Sequence, residues 1–347
     1  MPPWADYTRG RPGGPGQPGA SPLPTDHPNP PPADTPTDHS AAGFDIRPTG
    51  MTGYLADEAF IDPLLVELGD AVRQVHGRLV LAEGPALPSA WALNVWHDPV
   101  TITVPSIKQG AKALRSMQRN WTPYMVAHHR RAALIQENLP HVSAKPLTFH
   151  TPAPTAPLGS WTLLDEGTIL AAPRCSSPFP NGEVRFVENR EAPPARAYLK
   201  LWEAFTRLGV MPGPGQRCLD LGACPGGWTW VLQGLGASVI AVDKAPIDPA
   251  IARLPGVSQR QESAFGLKPA DIGPVDWLFS DIICYPARLL RLVREWLDSG
   301  LVRSFVCTLK FQGETDHDTA RAFAAIPGSQ LFHLSVNKHE LTWVLLR

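Results

Sequence analysis

The sequence lacks the features that identify several large classes of protein. No run of about 18 apolar residues occurs, so no membrane span is expected. The five cysteines are odd in number and contain no Cys-x-x-Cys pair, which argues against a disulfide framework and against a structural zinc site. The N-terminus has neither the apolar core of a secretory signal nor the arginine-rich pattern of a transit peptide. These absences favour a protein of the reducing cytoplasm without a bound metal.

The chain also lacks a strong charge of either sign. Lysine and arginine number 31 and aspartate and glutamate 32, so the net charge is −1 and any contact with nucleic acid has to be local. The hydrophobic content of 43% is enough for a packed core. Proline is abundant instead, with 12 among the first forty residues and few large apolar neighbours. We therefore predict a disordered proline-rich tail over residues 1–45.

Two further regions follow the tail in the predicted organisation. Residues 46–190 mix short strand patterns with helical patterns and are predicted to form a smaller α+β domain. Its helices are expected at Ala56–Val75, Ile107–Arg119 and Tyr124–Leu139. From residue 191 to 347, strand patterns alternate with helix patterns. That alternation predicts an α/β fold with a mostly parallel sheet, helices on both faces and ligands at the carboxyl ends of the strands.

A nicotinamide-type Gly-x-Gly-x-x-Gly motif is absent from the first strand-to-helix turn of this region. The turn instead reads Asp220-Leu-Gly-Ala-Cys-Pro-Gly-Gly-Trp228. A carboxylate in the turn is a poor neighbour for a pyrophosphate but a good one for a ligand with an amino group and a sulfonium, which favours S-adenosylmethionine. We expect Asp243 to accept hydrogen bonds from the ribose. The candidate cofactor residues are Asp220, Gly222, Ala223, Pro225, Gly226, Gly227, Trp228, Asp243, Glu262, Ser263 and Asp281.

Four charged residues lie at the ends of predicted strands or on the helix beside them. They are Lys200, Asp281, Lys310 and Glu340. Taken singly, each is more often a solvated strand terminus. Together they place two lysines and two acids around one crevice. A ribose hydroxyl is a very weak acid, and a lysine oriented by carboxylates is a suitable base for it.

These residues carry a resemblance to a known family. The segments Ala195-Arg-Ala-Tyr-Leu-Lys200, Asp220–Thr229, Leu309-Lys310 and His339-Glu340, with Asp243 and Asp281, resemble the FtsJ-type ribosomal RNA 2′-O-ribose methyltransferases. The RlmM branch, which modifies a cytidine of large-subunit ribosomal RNA, is the most similar. The resemblance covers residues 160–347.

The resemblance implies a Rossmann-like, S-adenosylmethionine-dependent methyltransferase domain with a seven-stranded sheet and one reversed strand near its end. It also implies a catalytic tetrad of Lys200, Asp281, Lys310 and Glu340, with Lys310 as the base, and RNA as the partner. A diverged THUMP-type RNA-binding region is one interpretation of residues 46–158. Ser263 departs from the pattern, because an aspartate is expected near the adenine.

A local cluster of basic residues is the candidate RNA contact. Lys108, Lys112, Arg115 and Arg119 have helical spacing, and Arg130 and Arg131 follow closely. A solvated helix face explains the same pattern equally well. Three alternatives stay open: a methyltransferase acting on another RNA, one acting on a protein or small molecule, and an RNA-binding relative without catalysis. The oligomeric state does not follow from the sequence.

Overall fold

The computed structural model describes residues 44–347, so residues 1–43 of the predicted tail lie outside it. In residues 44–190 ten strands form two five-stranded sheets. The strands are β1 (Ile46–Pro48), β2 (Met51–Ala56), β3 (Val72–His76), β4 (Leu79–Glu83), β5 (Ala92–His97), β6 (Val100–Thr103), β7 (Trp121–Pro123), β8 (Gly159–Leu163), β9 (Thr168–Ala172) and β10 (Arg174–Cys175). The helices are α1 (Ile61–Leu68), α2 (Ile107–Met117) and α3 (His129–Gln136), with 3₁₀ turns at Glu58–Phe60, Gly69–Ala71 and Pro180–Gly182.

The two sheets of this region are mostly antiparallel. One has the strand order β1-β6-β9-β8-β7, in which only β7 and β8 run parallel. The other has the order β10-β5-β2-β4-β3. The predicted helix Ala56–Val75 is wrong beyond Leu68: Gly69 ends α1 with a φ of +53°, and Val72–His76 pairs with β4 as an edge strand. The predicted helix Tyr124–Leu139 is confined to His129–Gln136.

Residues 191–347 form an α/β unit, as the alternating pattern predicts. Its strands are β11 (Arg217–Leu221), β12 (Ser238–Asp243), β13 (Val257–Gln261), β14 (Val275–Ser280), β15 (Val302–Lys310), β16 (Ser329–Phe332) and β17 (Glu340–Leu345). Its helices are α4 (Tyr198–Leu208), α5 (Gly227–Gly234), α6 (Pro249–Ala252), α7 (Pro269–Ile272), α8 (Pro286–Asp298) and α9 (His317–Ala324).

The seven strands make one sheet in the order β13-β12-β11-β14-β15-β17-β16. Neighbours from β13 to β15 run parallel, while β17 is antiparallel to both β15 and β16. The carboxyl ends of β11, β12, β14 and β15 therefore lie along one edge of the sheet. Because β17 is reversed, its first residue, Glu340, lies on that same edge. Loops at this edge are where parallel sheets bind ligands.

Candidate active site

The glycine turn between β11 and α5 has a backbone that other residues adopt only with strain. Gly222 has a φ of +80° and Gly226 a φ of +115°. A Cβ atom on Gly222 would lie 2.7 Å from Cγ1 of Ile282, the residue after Asp281. Glycine at position 222 is thus required both by its φ and by the close approach of the loop that follows β14. The turn and the end of β14 are held side by side.

Asp220 lies beneath this turn as a buried carboxylate. The Thr229 hydroxyl donates to Asp220 Oδ2 at 2.6 Å, while Oδ1 is buried and has no hydrogen-bond partner among the described residues. Burial raises the pKa of Asp220 to about 7, and the Thr229 hydrogen bond opposes that rise. A buried acceptor with an unused lone pair fits a ligand that brings an N–H donor and a positive charge.

Asp243, at the end of β12, holds the turn itself. Its Oδ2 accepts the Cys224 backbone N–H at 3.1 Å and its Oδ1 accepts the Ala245 N–H at 2.9 Å. Each carboxylate oxygen has further lone pairs, so a hydroxyl donor can still bind there. The predicted ribose contact of Asp243 stays a prediction.

The remaining predicted cofactor residues are distributed along the same sheet edge. Ala223 and Trp228 are buried, and the Trp228 indole donates to the Ala197 carbonyl at 2.9 Å, so this ring joins the turn to the start of α4. Pro225 is exposed, and Gly227 is the first residue of α5. Glu262 and Ser263 follow β13, and Glu262 pairs with Arg260.

Lys200, Asp281, Lys310 and Glu340 form one ion-pair cluster. Lys200 Nζ lies 3.0 Å from Asp281 Oδ1 and 2.7 Å from Glu340 Oε1, and Lys310 Nζ lies 3.1 Å from the same Asp281 oxygen. Lys310 also donates to the Asp281 backbone carbonyl at 2.6 Å. The four side chains are between 8 and 19% exposed. Two cations and two anions sum to zero charge, which makes their shared burial tolerable.

Strand register explains why residues so distant in sequence meet. Lys310 and Glu340 are directly opposite partners in the antiparallel ladder of β15 and β17. Asp281 follows the last residue of β14, the parallel neighbour of β15, and its N–H donates to the Leu221 carbonyl of β11 at 3.3 Å. Lys200 is added from α4. The cluster therefore adjoins the glycine turn directly.

The protonation of Lys200 is set by this cluster. Burial acts to lower the pKa of Lys200, but the carboxylates of Asp281 and Glu340 outweigh burial and raise it above the usual value. Lys200 therefore carries its positive charge at neutral pH and pairs with both carboxylates. Lys310 reaches Asp281 from β15 and is the second cation of the group.

Sequence reasoning missed two residues that support the site. Thr229, the third residue of α5, donates a hydrogen bond to Asp220, but its role depends on how the turn folds.

Glu203, one turn after Lys200 on α4, is fully buried. It accepts from the Ser335 backbone N–H at 2.8 Å and from the Ser335 hydroxyl at 2.7 Å. Arg207 pairs with Glu203 at 2.7 Å. Glu203 thus ties the helix of Lys200 to the segment that leads into Glu340. The sequence signal for this role was that Glu203 is an acid among apolar residues of α4.

The predicted basic cluster is only partly continuous. Lys108, Lys112 and Arg115 are exposed on α2, but Arg119 lies two residues beyond the end of that helix, so the four do not share one helical face. Arg130 is exposed on α3. Arg131 is half-buried and donates to the Val104 carbonyl at 3.4 Å. Its side chain is therefore less available for an RNA contact than the sequence pattern predicts.

Two features are absent from residues 44–347. No group of three or more histidine, cysteine, aspartate or glutamate side chains in this range is arranged to hold a metal ion. Within the same range, no helix is long and apolar enough to cross a membrane.

Curated relatives match mainly the region that carries this site. The ribosomal RNA large subunit methyltransferase M of Halorhodospira halophila is 39% identical over 146 residues, which is 41% of this chain and 42% of that protein. The enzyme of the same name from Alkalilimnicola ehrlichii is 35% identical over 236 residues, 65% of this chain and 58% of its own length. These alignments span about half the length of the relatives.

Among solved structures, the fibrillarin pre-rRNA processing protein of Methanococcus jannaschii aligns with 39% of this chain and 68% of its own, at 16% identity and a TM-score of 0.30. At the level of the family, the match falls on residues 194–322, which contain the glycine turn and three of the four clustered residues. Those residues match the FtsJ-like methyltransferase family, which confirms the resemblance predicted from the sequence.

Proposed function

We propose that the protein is a cytoplasmic, S-adenosylmethionine-dependent RNA methyltransferase that modifies a ribose 2′-hydroxyl of large-subunit ribosomal RNA. The observation that carries the proposal is the cluster of Lys200, Asp281, Lys310 and Glu340 beside the glycine turn. The names of the curated relatives and the FtsJ-like match support the same reaction and substrate. The Rossmann-like sheet supplies the edge on which both parts lie.

The turn residues fit the proposed cofactor. Asp220 offers a buried carboxylate with a free acceptor, Gly222 and Gly226 leave the turn without side chains, and Asp243 offers acceptors at the next strand end. In this proposal Glu262 and Ser263, which follow the last residue of β13, flank the adenine. S-adenosylmethionine supplies an electrophilic methyl group when it is bound.

The cluster moves the proton that the acceptor loses. A 2′-hydroxyl loses its proton as its oxygen attacks. In this proposal the ammonium of Lys310 first releases a proton to solvent, and the resulting neutral amine accepts the hydroxyl proton at Nζ. Asp281 holds Lys310 through both its carboxylate and its backbone carbonyl, which aims Nζ at one position. Lys200 stays protonated and keeps Asp281 and Glu340 in place. Apart from this proton transfer, catalysis consists mainly of positioning the hydroxyl oxygen in line with the methyl group.

Lys310→Ala tests the mechanism. Loss of a positioned base slows proton transfer by about 10²- to 10⁴-fold, so methyl transfer is expected to fall by that factor while cofactor affinity in calorimetry stays unchanged. The matched control is Lys268→Ala, which removes a lysine from a surface ion pair with Glu295. Full activity of Lys310→Ala would contradict the assignment.

The substrate is tested by mapping 2′-O-methyl groups in total ribosomal RNA from cells with and without the protein. The expected result is one methyl group that disappears with the protein and returns with it. Methylation of another RNA, of a protein or of a small molecule would instead identify one of the alternatives. RNA binding without methylation would identify a non-catalytic relative.

A further inference from the structure

The loop that follows Asp281 exposes two large apolar side chains. Ile283 is 78% exposed and Tyr285 is 66% exposed, more than any other large hydrophobic side chain in residues 44–347. Exposed apolar groups of this size cost free energy in water, so two in one short loop indicate a binding surface. The loop runs from Ile282 to Tyr285, the residue that precedes α8.

The loop is fixed in place by its other two residues. Ile282 lies against Gly222 of the glycine turn, since its Cγ1 would be 2.7 Å from a Cβ at that position. Cys284 is buried in the core between Ile283 and Tyr285. Alternate residues thus point into the protein and hold the backbone, while Ile283 and Tyr285 face solvent.

The loop directly follows Asp281 of the ion-pair cluster, so the chain keeps it near that cluster. An extended chain spans at most about 3.6 Å per residue. The Cα of Ile283 therefore lies no more than about 7 Å from the Cα of Asp281, and the Cα of Tyr285 no more than about 14 Å. A nucleotide whose ribose hydroxyl reaches Lys310 is thus close enough to bring its base to this rim of the crevice. The rim borders the site without belonging to the ion-pair cluster.

The chemistry of the loop fits a flat apolar ring better than a phosphate. Residues 282–285 carry no charge. The nearest cation along the chain, Arg288, stacks its guanidinium over the Phe265 ring at 3.8 Å. Unpaired bases bind proteins by stacking on aromatic side chains, with aliphatic groups alongside.

We infer that Tyr285 and Ile283 hold the base of the RNA nucleotide whose ribose is methylated, with the Tyr285 ring stacked on it. The inference rests on the proposed function, because it takes the acceptor to be an unpaired RNA nucleotide. It assigns the recognition of the base to the loop after β14, separately from the phosphate contacts proposed for α2.

The test compares Tyr285→Ala, Tyr285→Phe and Ile283→Ser with Val210→Ser. Val210 is a matched control because it is 47% exposed and lies between α4 and β11, at the opposite edge of the sheet. The measurements are KM and kcat on ribosomal RNA from cells lacking the protein, calorimetric Kd for S-adenosylmethionine, and Kd for a 12-residue oligoribocytidine by anisotropy.

Tyr285→Ala is expected to raise the KM and the oligonucleotide Kd about 5- to 150-fold, the range of one base–aromatic stack. Tyr285→Phe keeps the ring and should stay near wild type, and Ile283→Ser should show a smaller rise. The Kd for S-adenosylmethionine and the thermal midpoint should not change.

Several results would overturn the inference. Unchanged RNA parameters in Tyr285→Ala would do so, as would an equal loss in Val210→Ser. Sedimentation of the wild type and of Tyr285→Ala tests a further outcome. If the wild type is a dimer and the variant is not, while the KM and the oligonucleotide Kd are unchanged, a second copy of the chain covers the loop. If the wild type methylates no RNA, the proposed function fails, and the oligonucleotide Kd alone then decides whether the loop binds bases.

Discussion

At the scale of single residues, Asp220 is a buried carboxyl whose charge changes near neutral pH. Burial raises its pKa from 3.8 to about 7 in the folded protein. Between these values the folded state holds a proton that the unfolded state has released. The contribution of Asp220 to stability is therefore present at low pH and is lost as the pH rises towards 7.

Replacing Asp220 with asparagine tests this sign. The amide keeps the shape and cannot ionise, so the Tm of the wild type relative to Asp220→Asn is expected to fall between pH 5 and pH 8. Asp271→Asn, at an exposed position on α7, is the control and should follow the wild type across the range. Parallel curves of Tm against pH for the wild type and Asp220→Asn would contradict the role of burial.

In the ligand-bound protein, the ionised carboxylate of Asp220 favours a positively charged ligand, so cofactor binding should tighten as the pH rises over the same range.

The sequence predicted which residues surround the turn but not the bonds among them. An acid two residues before a glycine places Asp220 at the strand end whatever the turn does next. The bond from Thr229 to Asp220, and the bond from the Cys224 N–H to Asp243, depend on the backbone path between them. That path is set by packing against Ile282, 60 residues later in the chain.

At the scale of elements, buried parallel strands were easier to predict than the helices of the first region. The strands Arg217–Leu221 and Ser238–Asp243 have the limits that their apolar runs indicate, because both faces of each strand are covered. Ala56–Val75 has apolar residues at helical spacing, but Val72 and Val75 are used in pairing with β4. The local pattern of Val72–His76 suits a helix or a strand, and the hydrogen bonds to β4 select the strand.

Helix α2 carries the element-scale prediction. We propose that its exposed cations contact RNA phosphates. The helix contains no acidic residue, and within residues 44–347 Lys108 and Lys112 have no ion-pair partner. Charge reversal of Lys112 and Arg115 to glutamate is expected to weaken RNA binding at low salt and to reduce the slope of log K against log salt, because fewer counterions are released.

The control for α2 is Gln109→Glu, which adds a negative charge on the same helix without removing a cation. Binding measured by anisotropy between 50 and 200 mM salt distinguishes the variants. An unchanged salt slope after reversal of both cations would leave α2 as a solvated helix face.

At the scale of the whole molecule, the two predicted domains share a hydrophobic core. Tyr54, Leu64 and Trp91 of the first region belong to the same buried cluster as Leu219 and Phe305 of the seven-stranded sheet. Phe60 and Trp91 also pack on His333 and His339. The backbone N–H of His333 donates to the Ala90 carbonyl at 2.6 Å. No local pattern reports contacts between residues more than 200 positions apart. The boundary between residues 190 and 191, and a THUMP-type identity for residues 46–158, stay predictions.

Trp91→Ala tests how strongly the two regions depend on each other. Removal of a fully buried tryptophan costs about 3–5 kcal/mol, so the free energy of unfolding is expected to fall by that amount. Because the side chain lies in the shared core, far-UV circular dichroism and catalytic activity should be lost in one transition. The control Val66→Ala, at an exposed position on α1, should change stability by less than about 0.5 kcal/mol. Two separate transitions would show that the regions unfold independently.

The reversed strand β17 has a consequence for biosynthesis. Lys200, Asp281 and Lys310 are all translated before Glu340, whose strand inserts between β15 and the already translated β16. Until β17 leaves the ribosomal exit tunnel, Lys200 has one carboxylate partner instead of two, and β15 has an open edge. The ion-pair cluster is thus complete only after β17 has been translated and has paired with β15.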